Sequence, residues 1–329
     1  MKKIFSIDFQ LHKVTGVEKV MLEIHNAIKN DFSGKIVGNI PYVSINPNLC
    51  ISSTEYVNFK NPFMFYNSIV VVHERRLLIL FWLLNHILFQ RIKIVYVHHN
   101  LFYNHKRTTF LPNTIIAIAD KGVENLINFF CAPPKNIHKI YNCVHDVRVN
   151  EHSPMHKESI KILLPGRINN QKQQLEIVKH LKSNLNERVH ILFAGEGPQL
   201  DELKALCRDD NHFVALGFRS DIPSLMEECD FVLLYSKYEG LPISLIEATM
   251  IGMPIICSNV GGNSEICHNG ENGWVVNDWD ELINILNNLH NLKEAEYIEM
   301  CHKSREIYEK NFTFNLFQNC YLKLFRSIV

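Results

Sequence analysis

Cysteine pairing, metal ligation and membrane spanning are each poorly served by this sequence. Its nine cysteines are odd in number, form no CxxC pair, and include Cys257 at the close of an apolar run, Ile255-Ile256-Cys257. They read as reduced thiols packed as small hydrophobes, which excludes a disulfide framework and points to the cytosol. No HExxH element occurs among the 17 histidines, so neither a structural metal nor a bound cofactor is expected. Ala194-Gly195-Glu196-Gly197-Pro198 is not the GxGxxG dinucleotide fingerprint, because leucine stands at position 200. One membrane-like run, Leu77–Phe89, is 13 residues long and contains Asn85 and His86. A spanning helix needs about 20 apolar residues. The opening Met1-Lys2-Lys3 resembles a signal-peptide start, but Asp8 and Gln10 break the apolar stretch that follows, which reads as a buried first strand. Net charge is also missing, with 34 Lys plus Arg against 34 Asp plus Glu. That balance argues against a nucleic-acid partner. No repeat or low-complexity tract interrupts the chain.

What is present is a 329-residue chain with 47% hydrophobic and 21% charged residues, a globular composition of a length suited to two domains. The zero charge is a sum of opposites. Residues 1–150 hold 17 basic and 9 acidic side chains, or +8; the remainder holds 17 and 25, or −8. Such asymmetry suggests that one half meets an anionic surface or ligand. The Leu77–Phe89 run sits in the basic half, flanked by Arg75-Arg76 and Arg91. It reads as a buried helix, as an interfacial helix on anionic lipid, or as both on different faces.

Apolar runs of strand length alternate with helical patterns in both halves. In the first, strands are expected at Ile4–Phe9, Ser68–Val72, Ile92–Val97 and Thr114–Ala119, and helices at Val17–Lys29, Leu77–Phe89 and Gly122–Phe130. The stretch Val37–Phe65 is expected to hold short strands and loops. A polar segment with Pro154, Val147–Ser159, separates the halves. The pattern then restarts, with six strands from Ile160–Leu164 to Gly273–Val276 and a last amphipathic helix near Phe314–Phe325. The expectation is an α/β protein of two doubly wound parallel-sheet domains, 1–152 and 153–311, with a helix 312–329 returning to the first. Ligands of such units bind at the carboxyl ends of strands, here in the cleft between the two.

Four elements carry chemistry. In Glu239-Gly240-Leu241-Pro242-Ile243-Ser244-Leu245-Ile246-Glu247 two carboxylates stand eight apart across a predicted helix start. Gly240 and Pro242 open that helix and leave first-turn N–H groups as an anion site. Gly166-Arg167-Ile168-Asn169-Asn170-Gln171-Lys172 places two cations on the loop entering a helix, where the helix dipole disfavours them unless an anion binds. Ala194–Pro198 and Gly261-Gly262-Asn263-Ser264-Glu265 are further strand–turn–helix junctions. Asp278-Trp279-Asp280 has a metal-binding spacing, but it opens a helix and reads as capping carboxylates.

These pieces, in this order, resemble the family 4 glycosyltransferases, which are retaining enzymes of the GT-B fold found in bacterial capsule and O-antigen synthesis. The match is strongest from Lys161 to Val276, through LLPGRINNQKQ, ILFAGEGPQLDEL, ALGFRSDI, CDFVLLYSKYEGLPISLIEA and GMPIICSNVGGNSEICHNGENGWVV. Thr15-Gly16-Val17-Glu18 and Val97-His98-His99-Asn100 match more loosely. The resemblance implies a nucleotide diphosphate sugar donor, with UDP favoured over GDP, and no metal. It assigns Arg167 and Lys172 to the diphosphate, Glu247 to the ribose and Glu239 to the sugar hydroxyls. Gly240, Leu241 and Pro242 would border phosphates and sugar, Gly217, Phe218 and Arg219 would frame the base, and Gly16 would let backbone approach the phosphates. His99, with His98 as the alternative, would contact the donor sugar. Asn100 departs from the family's usual His-Asp pair, and Asn142-Cys143-Val144-His145-Asp146 departs from Asn-Gly-Val-Asp.

The implied function is transfer of a hexose-type sugar to a lipid-linked or membrane-presented saccharide, by an enzyme peripheral to the inner face of the cytoplasmic membrane. The alternatives on the same fold are a nucleotide-sugar epimerase, a phosphorylase, or a catalytically silent subunit that binds sugar nucleotide.

Overall fold

The computed structural model describes residues 2–148, 155–208 and 210–328. The chain forms two compact units, Met1–Cys143 with Phe314–Val329, and Val144–Thr313. The division expected at 152/153 lies outside the described residues; the units part nine residues earlier.

The first unit carries seven strands: β1 Lys3–Ile7, β2 Ser33–Gly38, β3 Tyr56–Asn58, β4 Ile69–Val72, β5 Lys93–His98, β6 Thr114–Ala117 and β7 Ile137–Lys139. They pair in the order β3-β2-β1-β4-β5-β6-β7, every pair parallel. A parallel sheet is covered on both faces, which is why its central strands are apolar without alternation. Strand β4 reads Ile-Val-Val-Val and is buried throughout. The order reverses between β1 and β4, so the crevice of this sheet opens beyond Ile7 and Val72. The helix Phe314–Ile328 belongs to this unit. Gln318 Nε2 donates to the Ala27 carbonyl at 3.1 Å, and Arg326 pairs with Asp31 at 2.7 Å.

The second unit carries β8 Ile160–Pro165, β9 Val189–Ala194, β10 Phe213–Gly217, β11 Phe231–Leu234, β12 Ile255–Ser258 and β13 Gly273–Val276. Their order is β10-β9-β8-β11-β12-β13, again all parallel. Here the order reverses between β8 and β11.

Strands read from the sequence lie within two residues of those observed. Strands β2 and β7 escaped because the first begins in exposed and half-buried residues and the second sits at an edge, whereas β3 falls within Val37–Phe65, where short strands were expected. The helix expected at Gly122–Phe130 instead runs Asp120–Glu124 and then widens into a π turn, Asn125–Phe129. The membrane-like run folds as the helix Leu78–Ile87, after a 3-10 turn Arg75–Leu77. Leu78, Phe81 and Leu84 are buried in the first core, while Ile79, Leu83 and Ile87 remain exposed. Arg75, expected among the flanking free cations, is instead tied down. Its guanidinium donates to the carbonyl and Oδ1 of Asn104, both at 2.7 Å, and lies 4.3 Å over the Phe102 ring.

Candidate functional site

The second unit's switch point is ringed by four glycine turns. After β8, Gly166 leads into Arg167–Lys172; after β9 come Gly195 and Gly197; after β11 come Glu239 and Gly240; after β12 come Gly261 and Gly262. A Cβ on Gly195 would lie 1.9 Å from the Gly166 carbonyl oxygen, and one on Gly261 would lie 2.2 Å from that of Glu239. Gly262 N donates to Gly240 O at 2.7 Å, and Ile168 N to Glu196 O at 2.9 Å. Neighbouring turns thus lock by backbone contact that only glycine permits.

Two side chains of different loops converge inside this frame. Lys172 Nζ stands 2.7 Å from Glu239 Oε1, with both side chains largely buried. The contact is an ion pair rather than an aligned hydrogen bond. The loop that carries Lys172 is braced from within. Gln174 Nε2 donates to the Arg167 carbonyl at 3.0 Å, its Oε1 accepts from Asn169 N at 3.2 Å, and Lys172 N donates to Asn169 Oδ1 at 3.0 Å. Arg167 is exposed on the same loop. The Glu239 turn delivers the chain into the helix Ile243–Ile251, with Pro242 as its N-cap. Glu247, half-buried, lies in that helix, and Leu241 is buried ahead of it. A lysine, a buried carboxylate and first-turn N–H groups therefore share one strand-end crevice, a setting for a negatively charged group that carries hydroxyls.

The remaining residues expected to bind donor divide. Gly217, at φ 72°, closes β10, and Phe218 is 57% exposed beyond it. Arg219 is engaged within its own turn: Nε and Nη2 hold the Asp221 carboxylate at 2.7 and 2.5 Å. Asp278 caps the helix Trp279–Asn288, accepting from Glu281 N at 2.9 Å. Among the described residues no group of three or more His, Cys, Asp or Glu side chains is placed to hold a metal.

In the first unit Gly16 is the first residue of the helix Gly16–Ile28, capped by Thr15 in a capping box with Glu18. His98 and His99 part company at the end of β5. His98 is locked into the fold, its Nε2 3.0 Å from Asn125 Oδ1 and its Nδ1 3.3 Å from the Tyr96 hydroxyl. The π turn presents Asn125, whose amide also bonds both backbone groups of Phe102. His99 Nε2 lies 3.0 Å from His73 Nδ1, the two rings stacked at 5.3 Å. Its Nδ1 is left for other partners. Burial holds all three rings neutral, moving His98 down to about 4 and His99 to about 3, with the neighbouring His98 adding to the latter.

Three residues at this first switch point were not read from the sequence as site candidates: Asp8, His73 and Glu74. Asp8 is fully buried after β1, with Oδ1 accepting from Gln10 N at 2.6 Å and Oδ2 unpartnered. Burial pushes its carboxyl up to about 7, and the nearby charges of Glu18 and Glu74 act in the same direction. Glu74 Oε1 accepts from Phe9 N at 2.7 Å. The available signal was a carboxylate ending an apolar strand.

Two all-parallel units in these strand orders define the GT-B class of fold. The structure of Anabaena Alr3699/HepE in complex with UDP-glucose matches with a TM-score of 0.83 at 18% identity, covering 99% of this chain and 100% of that one. The apo form of the lipopolysaccharide outer core galactosyltransferase WaaB matches at 0.76 and 16% identity, covering 98% and 99%. Residues 149–310 match the family model described as glycosyl transferases group 1, and this segment of the chain belongs to that family. The UDP-Gal:alpha-D-GlcNAc-diphosphoundecaprenol alpha-1,3-galactosyltransferase of Escherichia coli is 31% identical over 140 residues, 40% of this chain and 36% of the relative. A Campylobacter jejuni enzyme, N-acetylgalactosamine-N,N'-diacetylbacillosaminyl-diphospho-undecaprenol 4-alpha-N-acetylgalactosaminyltransferase, is 25% identical over 208 residues, 61% of this chain and 54% of the relative. The matched parts thus span between about a third and about half of these relatives' own length.

Proposed function

We propose that the chain is a retaining, metal-independent glycosyltransferase. It moves a hexose-type sugar from a nucleotide diphosphate sugar, UDP-linked in preference to GDP-linked, to a lipid-linked or membrane-presented saccharide in surface polysaccharide synthesis. The observation that carries the reading is the Lys172–Glu239 pair at 2.7 Å beside the start of the helix Ile243–Ile251. When the bond from the sugar's anomeric carbon to the diphosphate breaks, its electron pair stays with the phosphate. A fixed ammonium and preoriented N–H groups stabilise that charge without rearranging. The acceptor oxygen bonds the anomeric carbon on the same face, and its proton passes to the departing phosphate.

In this reading Lys172 and Arg167 meet the diphosphate, and Glu239, Gly240, Leu241 and Pro242 border the sugar. Glu247 accepts from the ribose, Gly217 and Phe218 lie along the base, and the first unit contributes His99 and Gly16. Support comes from relatives whose names specify UDP-Gal as donor and diphospho-undecaprenol acceptors, and from the UDP-glucose complex of the Anabaena protein. The exposed face of the helix Leu78–Ile87, with Arg76 and Arg91 beside it, then rests on the anionic inner face of the cytoplasmic membrane. No helix of the described residues is long and apolar enough to cross a membrane.

A thermal-shift panel of UDP-, GDP-, ADP- and dTDP-sugars, followed by transfer to a lipid-linked saccharide with and without EDTA, tests the reading. Stabilisation by UDP-sugars and EDTA-insensitive transfer with retained anomeric configuration are expected. Donor turnover without acceptor would instead favour an epimerase or phosphorylase.

A further inference from the structure

Two turns at the amino-terminal edge of the first sheet meet, and both are built in an unusual way. One precedes β4 and ends at Asn67; the other follows the helix Leu78–Ile87 and runs through Phe89, Gln90 and Arg91. Asn67 N donates to the Gln90 carbonyl at 2.9 Å, and Lys93 N to that of Ser68 at 2.9 Å, so the turns form one ledge. Asn67, Phe89 and Arg91 all have left-handed backbone, at φ 51°, 49° and 54°. Asparagine tolerates that region, but a bulky side chain there is strained and persists only where the surroundings impose it.

The ledge displays apolar side chains instead of hiding them. Phe63, Tyr66, Ile87, Leu88 and Phe89 are all exposed, Phe89 by 76%. Lys60 and Arg91 are exposed at its ends and form no ion pair among the described residues. The charge is one-sided over a long stretch. From Arg75 to Ala119 the sequence contains no acidic residue but six basic ones: Arg75, Arg76, Arg91, Lys93, Lys106 and Arg107. Of these, Arg75, Arg76, Lys106 and Arg107 follow β4 and β5, at the opposite edge of the sheet, and Lys93 Nζ donates to the Ile328 carbonyl. A soluble surface has no reason to strain its backbone to hold a phenylalanine in water. The ledge's own cations are Lys60 and Arg91, and aromatic tips with a cation at each end are complementary to an anionic lipid surface, with rings at the acyl boundary and cations among the headgroups.

We infer that this ledge is a membrane-insertion element: Phe89, with Phe63 and Tyr66 beside it, enters an anionic bilayer while Lys60 and Arg91 hold its headgroups. The inference rests on the membrane part of the proposed function and deepens it. It places the insertion on two turns outside the helix Leu78–Ile87, rather than along the helix face.

The test uses the left-handed backbone. Phe89→Asn removes the ring and places at φ 49° a residue that favours that conformation, so the fold is kept or stabilised. The full chain is floated with vesicles of phosphatidylcholine alone and of an equal mixture with phosphatidylglycerol. The unaltered chain is expected to bind the mixed vesicles only. Phe89→Asn is expected to weaken that binding about tenfold with a melting temperature no lower than the parent's, and Phe63→Ser is expected to weaken it in the same direction. A Phe89→Trp chain is expected to shift its emission to the blue on mixed vesicles. Unchanged binding by Phe89→Asn, with the parent bound, would overturn the insertion element and leave the helix-face reading standing. Absence of any binding by the parent at low salt would overturn both. A dimer of the parent that Phe89→Asn converts to a monomer would assign the ledge to a second copy and overturn the inference.

Discussion

Lys172 and Glu239 lie 67 residues apart in the sequence and 2.7 Å apart in the fold, on loops that leave adjacent strands, β8 and β11. Each side chain compensates the other's burial, so the pair is held ready without a ligand. Removing one partner of such a pair costs roughly 3–5 kcal/mol, whereas removing both charges is far milder. Lys172→Met is therefore expected to lower the unfolding free energy by that amount and to cut transfer by about 100- to 1000-fold. Adding Glu239→Gln should restore most of the stability and none of the transfer. Urea unfolding alongside a transfer assay separates the two effects; a double variant that regains activity would remove the pair from the chemistry.

Gly261 sits at φ +55°, where a Cβ would meet the Glu239 carbonyl oxygen at 2.2 Å. Gly261→Ala must move either its own turn or the Glu239 turn. We expect a loss of about 1–3 kcal/mol together with a fall in donor affinity, read by calorimetric titration. Gly270, also left-handed at φ +81°, has open space around its Cβ position. Gly270→Ala should show backbone strain without the affinity loss.

The sheets were legible because buried parallel strands leave uninterrupted apolar runs, as in Ile69–Val72 and Phe231–Leu234. The Glu239–Glu247 element was legible because its glycine, proline and paired carboxylates fall at one helix start. The Lys172–Glu239 contact was not, since it depends on β8 and β11 being neighbours, a fact of strand order. The anchoring of Arg75 on Asn104, 29 residues away, was hidden for a like reason, because a distant partner is set by the fold; Arg219 and Asp221 stand only two residues apart, and their pairing was open to a local reading. His73 gave no signal beside Glu74 and Arg75 until β4 and β5 brought its ring against His99.

That histidine pair makes its own prediction. His73→Phe keeps an aromatic ring against His99 but removes the 3.0 Å bond to its Nε2. A buried ring nitrogen left unpaired costs about 1–3 kcal/mol, and His99 loses the partner that fixes its tautomer. Transfer is expected to fall about tenfold through kcat with little change in donor KM. Nitrogen NMR of the His99 ring should report a mixed tautomer in the variant and a single one in the parent. His73→Asn, which offers a side-chain donor and acceptor to the same neighbour, should recover part of the rate.

Asp8 makes the last prediction, and its sign is opposite to that of the histidines. Histidines 98 and 99 are held below 6.5 in the folded chain. The unfolded chain therefore binds their protons first, and stability falls as pH drops from about 6.5 towards 4. Asp8 is held up, from 3.8 to about 7. Between those values the folded chain keeps a proton that the unfolded chain has released, so Asp8 draws stability down as pH rises from about 4 to 7. Asp8→Asn keeps the shape and the 2.6 Å bond from Gln10 N but cannot ionise. The variant should match the parent near pH 4 and exceed it above pH 7, by on the order of 3 kcal/mol. Urea unfolding of both proteins across this range measures the difference directly, and the histidine contribution cancels because it is common to both. A variant less stable than the parent at pH 8 would mean that Asp8 is ionised in the folded chain and has a cationic or donor partner there.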